Sequence, residues 1–301
     1  MSKRISTFLR FLSIAAAVIL CATVSRAAGA PIPHGTMQLI AESQSIAPGR
    51  QLYLGFHFQL EKGWHIYWVN PGDSGEPPRV KWDLPKGVTA GAIEWPTPRR
   101  LGSPSIVDFG YEDDVMLVVP VHVDAVFAAP QEARIGAEVK VLVCREMCIP
   151  GKAELSVSLP VKSSKPAPDR ETAGLFAAAR KAMPQSAPSS WRFRVNDGKD
   201  SFELVGDTGH QIAQATFFPI AESQIKNAVP QDLVPTATGF RLKLRKSDQL
   251  LKPIDRLKGV LVLSADQAYS IDVPVGKPGA AKNSSGNGIR PTQSSKEVTQ
   301  K

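Results

Sequence analysis

The chain is poor in the groups from which most enzymes build a site. Its 301 residues include three cysteines and five histidines. No two histidines stand at ligand spacing, and a structural zinc needs four ligands. No Gly-x-Ser-x-Gly elbow occurs, which argues against a hydrolase, and Asp108-Phe109-Gly110 lacks the glycine-rich loop that a kinase requires. Glu112, Asp113 and Asp114 are acidic but lack the alternating oxygen ligands of a calcium loop. No metal and no cofactor are expected. Long hydrophobic runs are also missing. The apolar stretch FLSIAAAVILCATV has 14 residues, short of the roughly 20 that cross a bilayer as a helix.

A one-sided charge is lacking where it would matter. The formal net charge is +8, but residues 1–30 hold four basic and no acidic residues, and residues 276–301 hold five basic and one acidic. That leaves 27 of each sign between them. A neutral body offers no basic face for nucleic acid.

Lys3, Arg4 and Arg10, the apolar stretch and the small residues of SRAAGA have the layout of a secretory leader. Cleavage after Ala27 is expected, because Ser25 and Ala27 supply the small side chains. Cys21 follows Leu20, where a lipoprotein leader would carry a small residue. Export would place the mature chain, with no membrane span, in an oxidising compartment where disulfides persist. Removal of the leader leaves two cysteines and no orphan thiol.

What the chain does have is alternation. In QLYLGFHFQL, Leu52, Leu54, Phe56, Phe58 and Leu60 fall on one face with period two. HIYWV, VMLVVPVHV, AEVKVLV and AELSVSLPV also read as strands, divided by turn clusters such as NPGDSGEPP and WPTPRRLGSP. Short strands separated by turns predict an all-β antiparallel sandwich over residues 31–163. Residues 164–189 follow as linker and helix, with RETAGLFAAARKAM the helical part and Pro184 just past its end. Strand signals resume in a second, smaller β-domain over residues 190–275. The tail, 276–301, has no apolar periodicity and reads as disordered.

VCREMCIPG, residues 143–151, carries both remaining cysteines. Val139, Val141 and Val143 mark one face of the preceding strand. Cys144 shares the other with Lys140 and Leu142. The chain turns through Pro150-Gly151 and returns, so Cys144 and Cys148 can approach to disulfide distance. Three readings are open. A plain staple closing five residues gives roughly 2 kcal/mol on the loop-entropy account, little for a chain long enough to bury its own core. Two thiolates supply half a zinc site, or a soft pair for Cu(I) in a copper-stress role. A local, accessible dithiol could instead exchange disulfides without unfolding its domain. Arg145 and Lys152 would favour a thiolate there, and Glu146 opposes them.

GWHIYWVNPGDSGEPPRVKWDLPKG, IEWPTPRR, FGYEDDVMLVVPV and VCREMCIPGKAELSVSLP occur in that order. Together they resemble the N-terminal periplasmic domain of the thiol:disulfide interchange protein DsbD, most closely its ScsB-like relatives, over about residues 35–163. FFPIAESQIKNAVPQ, at 217–231, resembles the second β-region of those relatives. The resemblance implies an immunoglobulin-like sandwich with a redox pair at one end, located in the periplasm. It implies that Cys148 exchanges with partner disulfides and that Cys144 resolves the product. It further implies a cap over the sulfurs, from Trp95 to Tyr111, with Phe109 and Tyr111 as its aromatics and Tyr67 lining the site. DsbD carries an acidic pair and an aromatic where this chain has PTPRR, which leaves Asp108 or Asp73 as a stand-in for proton handling. Full-length members continue into a membrane domain and a thioredoxin-like domain. The expected partners are therefore a separate membrane thiol reductase as electron donor and thioredoxin-like periplasmic clients, with the chain itself a monomer. The alternative is a non-catalytic β-sandwich binding module whose disulfide is structural.

Overall fold

A computed structural model describes residues 29–127 and 131–276. The expected leader and, from residue 277 onward, the expected tail lie outside the described residues. Two N-terminal sheets are built from β1 (Ala30–Ile32), β2 (Gly35–Ala41), β3 (Gln51–Leu60), β4 (His65–Gly72), β5 (Arg79–Asp83), β6 (Val88–Ala90), β7 (Arg99–Ser103), β8 (Ile106–Glu112), β9 (Asp114–Val123), β10 (Glu132–Cys144) and β11 (Cys148–Pro160). One sheet runs β1-β2-β3-β9-β6, the other β11-β10-β4-β8-β7 with β5 also paired to β10. Between them lie Leu52, Leu54, Phe56 and Phe58 from β3, facing Val139, Val141 and Val143 from β10. This is the expected all-β, immunoglobulin-like sandwich, and the alternation of the sequence is its cause: a strand with one apolar face must bury that face against another sheet.

The outer face of the first sheet is covered as well. Helix α1 (Ala173–Ala182) lays Phe176 and Ala179 on Met116 and Val118 of β9. It ends where Pro184 forces Met183 into an extended conformation.

A third, C-terminal sheet contains β12 (Gln185–Ser186), β13 (Arg192–Asp197), β14 (Ser201–Asp207), β15 (Thr216–Pro219), β16 (Asp232–Thr236), β17 (Gly239–Arg245), β18 (Arg256–Ser264) and β19 (Gln267–Gly276). Its strand order is β15-β18-β19-β13-β14-β17-β16, closed around Phe202, Leu204, Phe217, Phe240, Leu242 and Leu261. The C-terminal sheet and the sandwich share buried surface. Phe218 of β15 meets Phe109 edge-on, with ring centroids 5.1 Å apart, and Trp68 at 6.4 Å. Val260 and Ala268 join the same apolar cluster. The contact thus falls on β4 and β8, the strands that carry Trp68 and Phe109.

Candidate functional site

Strands β10 and β11 form a hairpin in unbroken register from Glu132↔Pro160 to Cys144↔Cys148. The cysteines are the last pair before the Arg145–Met147 turn. Partners in an antiparallel ladder point to the same face, so the register itself brings the two sulfurs together. They are disulfide-bonded, with Cα atoms 4.1 Å apart. The two ends of the bond differ. Cys144 is 2% exposed, because β4 lies beside it through the pairing Cys144↔His65. Cys148 is exposed.

The same register assigns the neighbours. Cys144 faces the side of the sheet that carries His65, and with it Tyr67 two residues on. Tyr67 lies opposite Gly110 in β8, so Gly110 and Asp108 share that side. The Tyr67 hydroxyl stands 3.3 Å from Cys148 Sγ. A disulfide sulfur has no hydrogen, so the hydroxyl donates. Burial pushes the Tyr67 pKa above its ordinary value, with a hydrogen bond to Ser74 opposing and the Asp108 charge adding to the rise. Tyr67 therefore stays protonated, and a donor, at neutral pH.

The turn after β4 holds Tyr67 in place. Gly75 sits directly on the Tyr67 ring, and a Cβ at that position would overlap it. Its φ of 81° also favours glycine. Ser74 donates to Asp108 Oδ1 from its backbone nitrogen at 3.1 Å and from its hydroxyl at 2.9 Å. Asp73 Oδ2 accepts from the Val107 backbone at 2.9 Å. Burial raises the Asp108 pKa, although Ser74 and His65 work against the rise. His65 is pushed down by burial, against the pull of Asp108 and Glu112. Its Nε2 is 3.9 Å from Asp108 Oδ2, too far for a hydrogen bond. The imidazole is thus neutral at physiological pH.

The expected cap is placed differently. Phe109 and Tyr111 alternate with Asp108 and Gly110, which puts them on the opposite face from the sulfurs. Phe109 is buried against Trp68 and Phe218, and the Tyr111 hydroxyl donates to the Pro96 carbonyl at 2.8 Å inside the protein. Trp95 packs against the same core. Arg99–Ser103 is strand β7, separated from β10 by β4 and β8, about 14 Å at ordinary strand spacing. The physical reason is parity: one residue's difference along β8 sends a side chain to the core instead of the redox face. Of the residues expected around the sulfurs, Tyr67 and Asp108 share their face. Ser74, Gly75 and His65 were not singled out for the site by sequence. The available signal is the NPGDSGEPP stretch, which marks a turn and carries part of the family resemblance but does not show that Ser74 and Gly75 reach Asp108 and Tyr67.

The flanking charges are engaged elsewhere. The Arg145 guanidinium lies over the Trp64 ring, 5.1 Å from its centroid, and Lys152 pairs with Glu138 at 2.9 Å. Among the described residues, no group of three or more His, Cys, Asp or Glu is placed to hold a metal ion. Nor, among them, is any helix long and apolar enough to cross a membrane.

Comparison with known proteins agrees with this fold. Residues 36–160 match the family model for the thiol:disulfide interchange protein DsbD, N-terminal. The crystal structure of the N-terminal periplasmic domain of ScsB from Proteus mirabilis superposes with a TM-score of 0.58 at 16% identity, covering 81% of this chain and 94% of that one. Domains 5–6 of the S-layer protein SbsC give a TM-score of 0.23 at 12% identity over 81% of this chain and 98% of that one. The periplasmic chaperone SfaE gives 0.21 at 8% identity over 79% and 99%. These last two scores add nothing to the assignment. No curated protein sequence matches. The ScsB likeness extends the shared fold beyond residue 160 into the second β-domain.

Proposed function

We propose that this chain, in which residues 36–160 form a DsbD N-terminal-like domain, is a periplasmic thiol–disulfide exchange protein working through Cys144 and Cys148. The observation that carries the reading is the asymmetry of the pair: an exposed Cys148, with a tyrosine hydroxyl at its sulfur, bonded to a buried Cys144. In the reduced protein the Cys148 thiolate attacks one sulfur of a client disulfide. The client's S–S bond breaks, a mixed disulfide forms, and the client's other sulfur leaves as a thiolate. Cys144, already against Cys148, then attacks Cys148 Sγ. That step re-forms the Cys144–Cys148 bond and releases the client as a dithiol. Two electrons pass to the client, and a separate membrane thiol reductase restores them. Thioredoxin-like proteins are the clients this reading names. The leader pattern and the fold shared with a periplasmic domain support the location.

Tyr67 would act at the thiolate stage. A hydrogen bond to the charged form of an acid lowers its pKa, so the hydroxyl favours Cys148 as thiolate. The test is equilibration of the couple against glutathione redox buffers, followed by thiol trapping. A potential between about −180 and −270 mV matches exchange proteins. A pair that remains oxidised below about −300 mV is a structural disulfide, and the chain is then a binding module. With Cys144→Ser, attack by Cys148 stalls at the mixed disulfide, so clients should accumulate as reductant-sensitive adducts. Cys148→Ser should yield none.

A further inference from the structure

The turn that packs on Tyr67 is held from the second domain. Asn227, 6% exposed, donates from its side-chain nitrogen to Asp73 Oδ1 at 2.9 Å, across 154 residues of sequence. Its backbone carbonyl accepts from Arg100 Nη2 at 2.6 Å. The start of the turn is held in the same way: Asn70 donates to the Pro219 carbonyl at 2.7 Å while its own Oδ1 takes the Gly72 N–H at 3.0 Å. From the second anchor the chain runs on directly: Asp73 also holds Val107, Ser74 holds Asp108, and Gly75 rests on the Tyr67 ring. Apolar packing at Phe218 would join the domains without fixing where this turn lies, because hydrophobic contact is non-directional. The two amide clasps are directional, and both grip the segment that positions the Tyr67 hydroxyl.

We infer that the second β-domain is a positioning element for the redox pair: Asn227, through Asp73, holds the 72–75 turn that keeps the Tyr67 hydroxyl at Cys148. This rests on the exchange reading, since it assigns the second domain a part in the chemistry of the first. Asn227 touches neither sulfur. Its effect passes from Asp73 to the turn, from the turn to the ring, and from the hydroxyl to the thiolate.

The test uses the full-length chain. After chemical reduction and removal of the reductant, iodoacetamide is reacted at neutral pH, and the rate reads the exposed Cys148. Asn227→Asp sets a second carboxylate against Asp73 and should loosen the turn. The glutathione equilibrium should shift toward the disulfide by about fivefold, the worth of one ordinary hydrogen bond. Alkylation should slow by about threefold, less than the equilibrium shift, because a thiol of higher pKa is also the better nucleophile once ionised. Asp73→Asn combined with Asn227→Asp exchanges donor and acceptor and keeps one negative charge beside Arg100. Both readings should return to within about twofold of the parent, a difference smaller than one ordinary hydrogen bond. Arg256→Ala, which breaks a surface ion pair with Asp272 in the same domain, should change neither. Should Asn227→Asp not fold, Asn227→Ala removes the donor without adding charge and is judged by the same criteria.

A folded Asn227 variant with parental rate and equilibrium overturns the inference, and so does a double variant that fails to recover. If the parent pair stays oxidised in glutathione buffers, the exchange reading fails by itself. The alkylation rates of the chemically reduced proteins then still decide whether the second domain positions Tyr67.

Discussion

Tyr67 unites the two properties the site needs at residue scale, a rigid ring and a free donor. Tyr67→Phe keeps the ring beneath Gly75 and removes only the hydroxyl. It should leave thermal stability nearly unchanged while slowing alkylation of reduced Cys148 by about threefold, the effect of one lost hydrogen bond to a thiolate. A stability loss without a rate change would make Tyr67 a packing residue. His65 and Asp108 give the site its pH dependence, with opposite signs. The His65 pKa is lowered from 6.5, so the stability tied to its neutral form is fully present above that value. It is lost as pH falls through the folded pKa. The Asp108 pKa is raised, so the stability tied to its proton is present below the ordinary carboxylate range and lost as pH rises through the folded value. His65→Phe retains an aromatic ring beside Tyr67 and cannot charge. Its melting temperature relative to the parent should therefore climb as pH is taken from about 7.5 to about 5, across the ordinary histidine range. A difference that stays flat across that range would show that His65 does not titrate with unfolding.

At the scale of single elements, period two was readable and its consequences were not uniformly so. In β3 the alternation placed Leu52, Leu54, Phe56 and Phe58 in the core, as observed. The burial of Gly55 on the other face, against Met116 and Phe176, was not legible there, because α1 lies more than a hundred residues along the chain from β3. Helix α1 was visible from its alanine content, but what it covers depends on Phe176 meeting Met116 and Val118. Phe176 is fully buried, so Phe176→Ala should cost about 3–5 kcal/mol in denaturant unfolding. A loss below about 1 kcal/mol, the range of surface substitutions, would mean the helix is only loosely docked. In β8 the same alternation carried a less visible consequence. Phe109 and Tyr111 were expected over the sulfurs on family resemblance, yet their parity sends them inward, and Asp108 between core residues faces the redox side.

Across the whole molecule, the decisive feature is that the sandwich and the C-terminal sheet are joined by a buried aromatic contact and by amides directed at one turn. Phe218 sits among Trp68 and Phe109, and its burial should couple the unfolding of the sandwich and the C-terminal sheet. Tryptophan fluorescence and far-ultraviolet circular dichroism should therefore report coincident transitions for the parent chain, the mark of a single cooperative unit. Phe218→Ala removes the aromatic contact and should separate the two curves or lower both. If the parent already melts in two steps, the interface is too weak to position anything, and the role given to Asn227 falls with it.

The sequence by itself determined the local rules. Period-two patterning produced the strands, the spacing of Cys144 and Cys148 across a tight turn allowed them to approach, and the motif order pointed to the DsbD N-terminal-like domain. Only the tertiary structure decided which cysteine is exposed, since β4 covers Cys144 and leaves Cys148 open. Tertiary structure likewise brought together Ser74, Asp108 and Tyr67 across two neighbouring strands and a turn, and set Asn227 against Asp73 over 154 residues. The physical reason is range. Alternation and turn chemistry act over a few residues, whereas burial and the direction of a hydrogen bond depend on which distant strand becomes a neighbour.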